Sequence, residues 1–203
     1  MGFLSGDQIK DLHEELFEEN YTPNSVKQVC YDLRLGDEVF LTDDPEPKKL
    51  SRESPYVTLP PGQFALLKTL EAVSVPAQYV GFISIRKTFK FRGLINISGF
   101  HVDPTYRGHL IFAVQNVGPR DILLEYEHPV FLIMWAKLEA EFTGPKRPPG
   151  YDGITLDEMA QFGGTSTTIA SLRKDLDSLS LSVKIYGAIF VSALVALLIK
   201  GLF

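Results

Sequence analysis

The stretch HVDPTYRGHLIF, residues 101–112, places an aspartate and a tyrosine three positions apart. The Asp103 carboxylate can orient a water or accept a hydrogen bond from a hydroxyl. Tyr106 offers a flat apolar face with one polar tip. Pro104 marks a turn between them, and Arg107-Gly108 leads into an alternating apolar run with the period of a strand. A proline-containing hairpin turn would account for these residues, and so would one wall of a ligand pocket.

A second group is cationic. IRKTFKFRG, residues 85–93, crowds Arg86, Lys87, Lys90 and Arg92 around Thr88. Guanidinium forks and ammonium point charges suit an anionic ligand, and a solvated basic edge strand explains the same pattern. The four histidines, His13, His101, His109 and His128, show no metal-ligand spacing, and Cys30 is the only cysteine. Zinc chemistry and an internal disulfide are therefore not expected, and a reducing compartment fits. The net charge of −5 argues against a nucleic-acid partner, while leaving room for a small anion held by a few placed cations.

The elements that must position these groups can be read from periodicity. A chain of 203 residues, 45% hydrophobic and 22% charged, suits one globular domain with an appendage. Residues 5–19 predict a short helix capped by Ser5, with Ile9, Leu12 and Leu16 on one stripe and an acidic outer face from Asp11 to Glu19. From Tyr31 to Leu138 the pattern shifts to short period-two runs: 39–41, 56–59, 64–73, 80–85, 93–97, 109–116, 122–126 and 130–140. Pro and Gly punctuate them, which predicts an antiparallel sandwich or barrel. Residues 43–55 form a polar loop, and the Pro/Gly-rich TGPKRPPGYDG after Phe142 reads as a linker or an arm.

The C-terminal region has its own pattern. Ile169, Leu172, Leu176, Leu179 and Val183 alternate at spacings of three and four, and the phase continues through Tyr186, Phe190, Ala193 and Leu197. That is a heptad seam and predicts a coiled-coil stalk. Ile185 to Ile199 is free of charge and lies between Lys184 and Lys200. The run alone would cover about 22 Å of a hydrocarbon core about 30 Å thick. With Val183 and Gly201 to Phe203 it can span, the lysines snorkelling outward. The expectation is a transmembrane tail anchor presenting Ile185, Phe190, Leu194 and Leu198 to lipid, with the β domain in the cytoplasm; a buried core helix is the alternative. The opening MGFLSGDQIK lacks a cleavable apolar core and the myristoylation pattern.

Three ordered stretches resemble the dCTP deaminase/dUTPase superfamily. YDLRLGDEVF (31–40) is similar to its first motif, LPPGQFALLKTLEAVSVP (59–76) to a segment of the deaminase branch, and GFHVDPTYRGHLIFAVQNVG (99–118) to the third motif. LSGDQIKDLHE also resembles the deaminase branch's opening helix. The resemblance implies a mainly β fold, a distorted antiparallel barrel of the dUTPase kind, assembled as a homotrimer with nucleotide sites between subunits. Together with the C-terminal pattern it gives a layout of a β domain over 1–142, an arm or linker over 143–166, a stalk over 167–183 and an anchor over 184–203. It further implies that Asp103 orients a water and approaches the sugar 3′-hydroxyl, and that Tyr106 lies against the deoxyribose. Arg86, Lys87, Thr88 and Arg92 fall where phosphates are expected, with Mg²⁺ arriving on the triphosphate of dUTP or dCTP.

Two departures matter. The deaminase branch places a proton-shuttling glutamate ten residues after the motif aspartate; here that position is Ala113. In the second motif Lys87 and Thr88 replace small residues, and QFGGTSTT (161–168) has only a passing likeness to the Gly-rich arm of the dUTPase branch. The expectation is a membrane-anchored trimer that binds deoxynucleotides with deaminase activity reduced or lost, serving in binding, sensing or scaffolding. An active triphosphate hydrolase or deaminase relative using an Asp103-oriented water is the alternative, pyrophosphate release being favoured over deamination.

Overall fold

A computed structural model describes residues 2–145, 149–162 and 169–200. The chain forms two compact units, Met1–Ser166 and Thr167–Phe203.

The first unit opens with β1 (Gly2–Phe3), the short helices α1 (Gly6–Asp11) and α2 (His13–Leu16), and β2 (Phe17–Glu19). The main strands follow: β3 (Tyr31–Leu41), β4 (Lys48–Lys49), β5 (Tyr56–Leu59), β6 (Phe64–Ser74) and β7 (Tyr79–Ile85). After one helical turn, α3 (Lys87–Lys90), come β8 (Leu94–Asn96), β9 (His101–Val102), β10 (Arg107–Asn116), β11 (Ile122–Glu125) and β12 (Pro129–Lys137). The unit closes with α4 (Leu156–Phe162).

The large sheet runs β8-β10-β6-β3-β12-β7-β9, and every pair in it is antiparallel. β11 pairs with β5 in a separate ribbon. Bulges in the β10–β6, β12–β3 and β3–β6 pairs bend the sheet around its interior. That interior is packed with Trp135, Tyr31, Phe112, Phe131, Leu33 and Leu67, and the Phe112 and Phe131 rings stack at 4.0 Å. Period-two alternation fails in β6 because both of its faces are covered, so ten of its eleven side-chain positions are apolar or internally paired.

Two short segments depart from the sequence expectation. The N-terminal helix stops at Leu16 rather than Glu19; the Ser5–Gln8 capping box forms as expected, but Phe17 turns into β2 opposite Val73. Burying Phe17 among Tyr21, Tyr31 and Trp135 outweighs one more turn of solvent-facing helix. The basic stretch at 87–90 is a helical turn, not an edge strand, because Phe89 must swing inward beside His128.

The second unit is one helix, α5 (Ile169–Lys200). In the single chain Leu172, Leu176, Leu179, Val183, Ile185, Tyr186 and Phe190 are all exposed on it. Among the described residues no helix is long and apolar enough to cross a membrane. The side chains of Ile169, Leu194 and Leu198, residues 201–203, and 163–168 of the Gly-rich stretch lie outside the described residues.

Candidate functional site

Asp103 and Tyr106 stand at the two ends of a tight turn. Pro104 at its second position and Thr105 at its third, with φ of +68°, give a type II pattern closed by the Tyr106 N–H donating to the Asp103 carbonyl at 3.3 Å. Thr105 is a β-branched residue in a region that glycine or asparagine normally occupies, so the turn stores strain. Two bonds to Val75 hold it: Thr105 N–H to the Val75 carbonyl at 2.7 Å, and Val75 N–H to the Tyr106 carbonyl at 2.9 Å.

A cavity of about 180 Å³ opens beside this turn, lined by His101, Asp103, Tyr106, Ile83, Ile111 and Tyr151 among others. His101 Nε2 stands 3.3 Å from Asp103 Oδ1. The Tyr106 hydroxyl donates to the His109 carbonyl, and burial pushes its pKa up to about 12. Tyr106 is therefore a fixed, neutral wall at any physiological pH.

Tyr151 comes from the segment between β12 and α4, which the sequence reads as a linker or an arm. Residues 149–154 lie along β10 as a strap. Gly150 N–H donates to the Arg107 carbonyl, and His109 N–H to the Tyr151 carbonyl at 3.1 Å. The approach depends on two glycines. A Cβ on Gly108, whose φ is +134°, would meet Gly150 at 2.9 Å, and one on Gly150 would stand 2.5 Å from the Tyr106 ring. Lys68, buried in β6, donates to the Asp152 carbonyl at 3.2 Å while paired with Asp37 at 2.8 Å. Partial burial pushes the Asp37 carboxyl up, but the bond and charge of Lys68, with Lys49, outweigh it and hold it below the ordinary carboxylate range.

The strap ends in Ile154, which packs with Phe40, Leu66 and Ala113 in a small apolar cluster, with Ile111 and Met159 against it. Ala113, two positions along the strand from Ile111, is 5% exposed beneath it.

The cationic group sits elsewhere on this chain. Arg86 is turned inward: its Nε lies 3.3 Å from Asp32 Oδ2, and its Nη1 donates to the Pro129 carbonyl. Burial pushes the Asp32 carboxyl up against the opposing pull of Arg86 and Lys27. Lys87 lies over the Phe91 ring, Arg92 over Phe89, and Lys90 donates to Ser84 at 2.7 Å. Lys87, Thr88 and Arg92 are exposed, and none of the predicted cations lines the Asp103 cavity. The expected constellation thus separates into two groups, Asp103 and Tyr106 at the cavity and the cations on and beside α3. No group of His, Cys, Asp and Glu fit to hold a metal occurs among the described residues.

The sequence does not single out His101 and Tyr151, which line the cavity, or Ile154, which packs with Ala113. His101 is one of four scattered histidines in the sequence, yet its i, i+2 relation to Asp103 on an extended segment signals a shared face. Gly150 and Gly153, part of the stretch that reads as a linker or an arm, serve close approach; a Cβ on Gly153 would meet Glu38 Oε2 at 2.8 Å.

Residues 3–138 match the model of a family described as dCTP deaminase-like. Among similar proteins, the dCTP deaminase of Thermococcus kodakarensis is 30% identical over 137 residues, 67% of this chain and 85% of that one. The dCTP deaminase of Pyrococcus horikoshii is 28% identical over 166 residues, 81% and 96% of the two chains. The crystal structure of the Agrobacterium tumefaciens 2′-deoxycytidine 5′-triphosphate deaminase superposes with a TM-score of 0.55 at 16% identity. That superposition covers 66% of this chain and 48% of the other, about half of its length, and shows a shared fold.

Proposed function

This chain belongs to the dCTP deaminase-like family, and from that membership we propose that it binds dUTP or dCTP at the Asp103–Tyr106 turn without deaminating the base. The observation that carries the reading is Ala113. Exchanging a ring amine for water needs a group that takes a proton from the water and delivers it to the ring and the departing ammonia. At the position where the resemblance implies that group stands a methyl, buried under Ile154 and beside Phe40 and Leu66.

The sugar half of the site supports binding. Tyr106 is rigid and neutral, and Asp103 is a half-exposed carboxylate in the cavity beside it. A triphosphate would bring its own Mg²⁺. The phosphates would meet Lys87, Thr88 and Arg92 of a neighbouring subunit in a homotrimer, since on one chain these stand apart from the cavity. Arg86, tied to Asp32, would shape α3 rather than contact phosphate. α5 would carry the assembly to a membrane, where the protein would act in nucleotide sensing or scaffolding.

The exposure of Asp103 within the cavity favours a second reading, hydrolysis. A water oriented by the carboxylate attacks the α-phosphorus, the bond to the bridging oxygen breaks, pyrophosphate leaves, and the water's proton passes to the carboxylate and on to solvent. Full-length protein incubated with each deoxynucleoside triphosphate and Mg²⁺ distinguishes the two. We expect thermal stabilisation by dUTP or dCTP, no ammonia, and loss of the stabilisation in Asp103→Asn. Pyrophosphate release abolished by Asp103→Asn would establish the hydrolase, and ammonia release would refute the argument from Ala113.

A further inference from the structure

We propose that the strap, residues 149–154, is an autoinhibitory cover: it lies over the face of β10 along which the base of a deoxynucleotide would rest, and the nucleotide enters only as the strap lifts. The inference rests on the nucleotide reading above and adds to it a control on access.

The two faces of β10 have different neighbours. Phe112 and Val114 turn into the packed interior, so Ile111 and Ala113 stand on the opposite face. Under the nucleotide reading the sugar rests on Tyr106 and the base extends towards Ala113. The strap already lies on that path. Tyr151 forms an antiparallel bridge with His109 and lines the Asp103 cavity together with Ile111. Ile154 is buried against Ala113. What stays open beside the turn is about 180 Å³. Small-molecule sites begin at about 300 Å³.

The fastenings are of a kind that can be undone without unfolding the sheet. Gly150 N–H donates to the Arg107 carbonyl, His109 N–H to the Tyr151 carbonyl at 3.1 Å, and Lys68 to the Asp152 carbonyl at 3.2 Å. Water can replace each of these at small net cost, and Lys68 keeps its pairing with Asp37 when the strap leaves. Among the described residues 149–154 only Ile154 is buried, so one apolar side chain is the main anchor. β10 itself is held by β6 and β8 and does not depend on the strap. A cover of this kind lowers apparent affinity by the fraction of molecules that stand open. Loosening its anchor must therefore tighten binding, whereas loosening an arm that closes over its ligand must weaken it.

The test uses full-length protein with α,β-imido-dUTP and α,β-imido-dCTP in Mg²⁺, and two measurements. Affinities come from calorimetry on wild type, Ile154→Ala and Gly150→Ala, two substitutions that loosen the strap at different points. Both variants should bind the better probe about tenfold more tightly than wild type. Hydrogen exchange then reads the strap directly: saturating probe should quicken exchange of the Gly150 amide in wild type. Affinity unchanged or weakened in both variants overturns the cover and leaves the nucleotide site standing. Slower or unaltered exchange at Gly150 in probe-bound wild type also overturns it, because the strap then closes on the ligand or never moves. Binding by the variants alone supports the cover in its strongest form. Failure of wild type and both variants to bind either probe removes the nucleotide reading itself.

Discussion

Lys68 is a charged residue inside a strand that the sequence reads as apolar, and its partners explain why it is tolerated. Its ammonium meets Asp37 at 2.8 Å, Glu38 at 3.9 Å and the Asp152 carbonyl at 3.2 Å, so a buried cation is paired and hydrogen-bonded. Glu71, on the same strand, is fully buried and accepts from Arg34 Nε at 2.7 Å and the Arg34 N–H at 2.8 Å. Such pairs are illegible in one sequence, because a Lys or Glu in an apolar run does not announce a charged partner 30 to 37 positions away. Asp37 yields a pH prediction. Its folded pKa lies below the ordinary value, so its contribution is full above the unfolded carboxylate pKa of about 3.9 and fades as pH falls through the lower folded value. Asp37→Asn should cost about 1 kcal/mol at neutral pH, reduced from a buried-bond figure because the Asp37 side chain is 42% exposed. In thermal melts the gap between the two proteins should close below pH 3; a gap that widens on acidification would refute the assignment.

At the scale of elements, the strands were legible wherever one face meets water. The runs at 56–59, 80–85 and 109–116 became β5, β7 and β10 nearly as drawn, because alternation records burial directly. The period-two run at 39–41 covers only the end of β3, which spans the whole first motif from Tyr31, because Asp32 and Arg34 interrupt the apolar pattern yet are paired inside. The strap was illegible for a different reason. Its glycines satisfy contacts to Tyr106, Arg107 and Glu38 made by the fold, and composition cannot tell close approach from slack. Gly150→Ala tests this. The added methyl would stand 2.5 Å from the Tyr106 ring and 2.6 Å from the Arg107 carbonyl, a ring and a backbone atom that have little room to yield. The strap should lift, at a cost of about 2 kcal/mol. Hydrogen exchange should quicken at the His109 amide, which donates to Tyr151, while the Leu110 amide, held by Thr69 Oγ1 at 3.0 Å, stays protected. Unchanged exchange at His109 would mean that the strap tolerates a side chain there and is not packed as described.

At the scale of the whole molecule, α5 poses a question that the β unit cannot answer. A helix of 32 residues extends about 48 Å. Leu172, Leu176, Leu179 and Val183 stand exposed along its first half, and Ile185, Tyr186, Ile189, Phe190 and Val191 along its second. That much uncovered apolar surface calls for a partner, either copies of the same helix or lipid. The two halves should answer differently. Asp175 and Asp177 lie among the leucines of the first half, so water must reach its outer faces, and a seam between copies fits. The second half has no charge between Lys184 and Lys200, and we propose that it meets lipid. One substitution in each half separates them. Val191→Asp should cost about 3 kcal/mol of insertion and abolish flotation of the full-length protein with phosphatidylcholine vesicles, leaving self-association in detergent intact. Leu176→Asp should weaken self-association of the stalk and leave flotation unchanged. If wild type does not float with vesicles, the second half is not an anchor, and its apolar face must be covered by the same seam that covers the first.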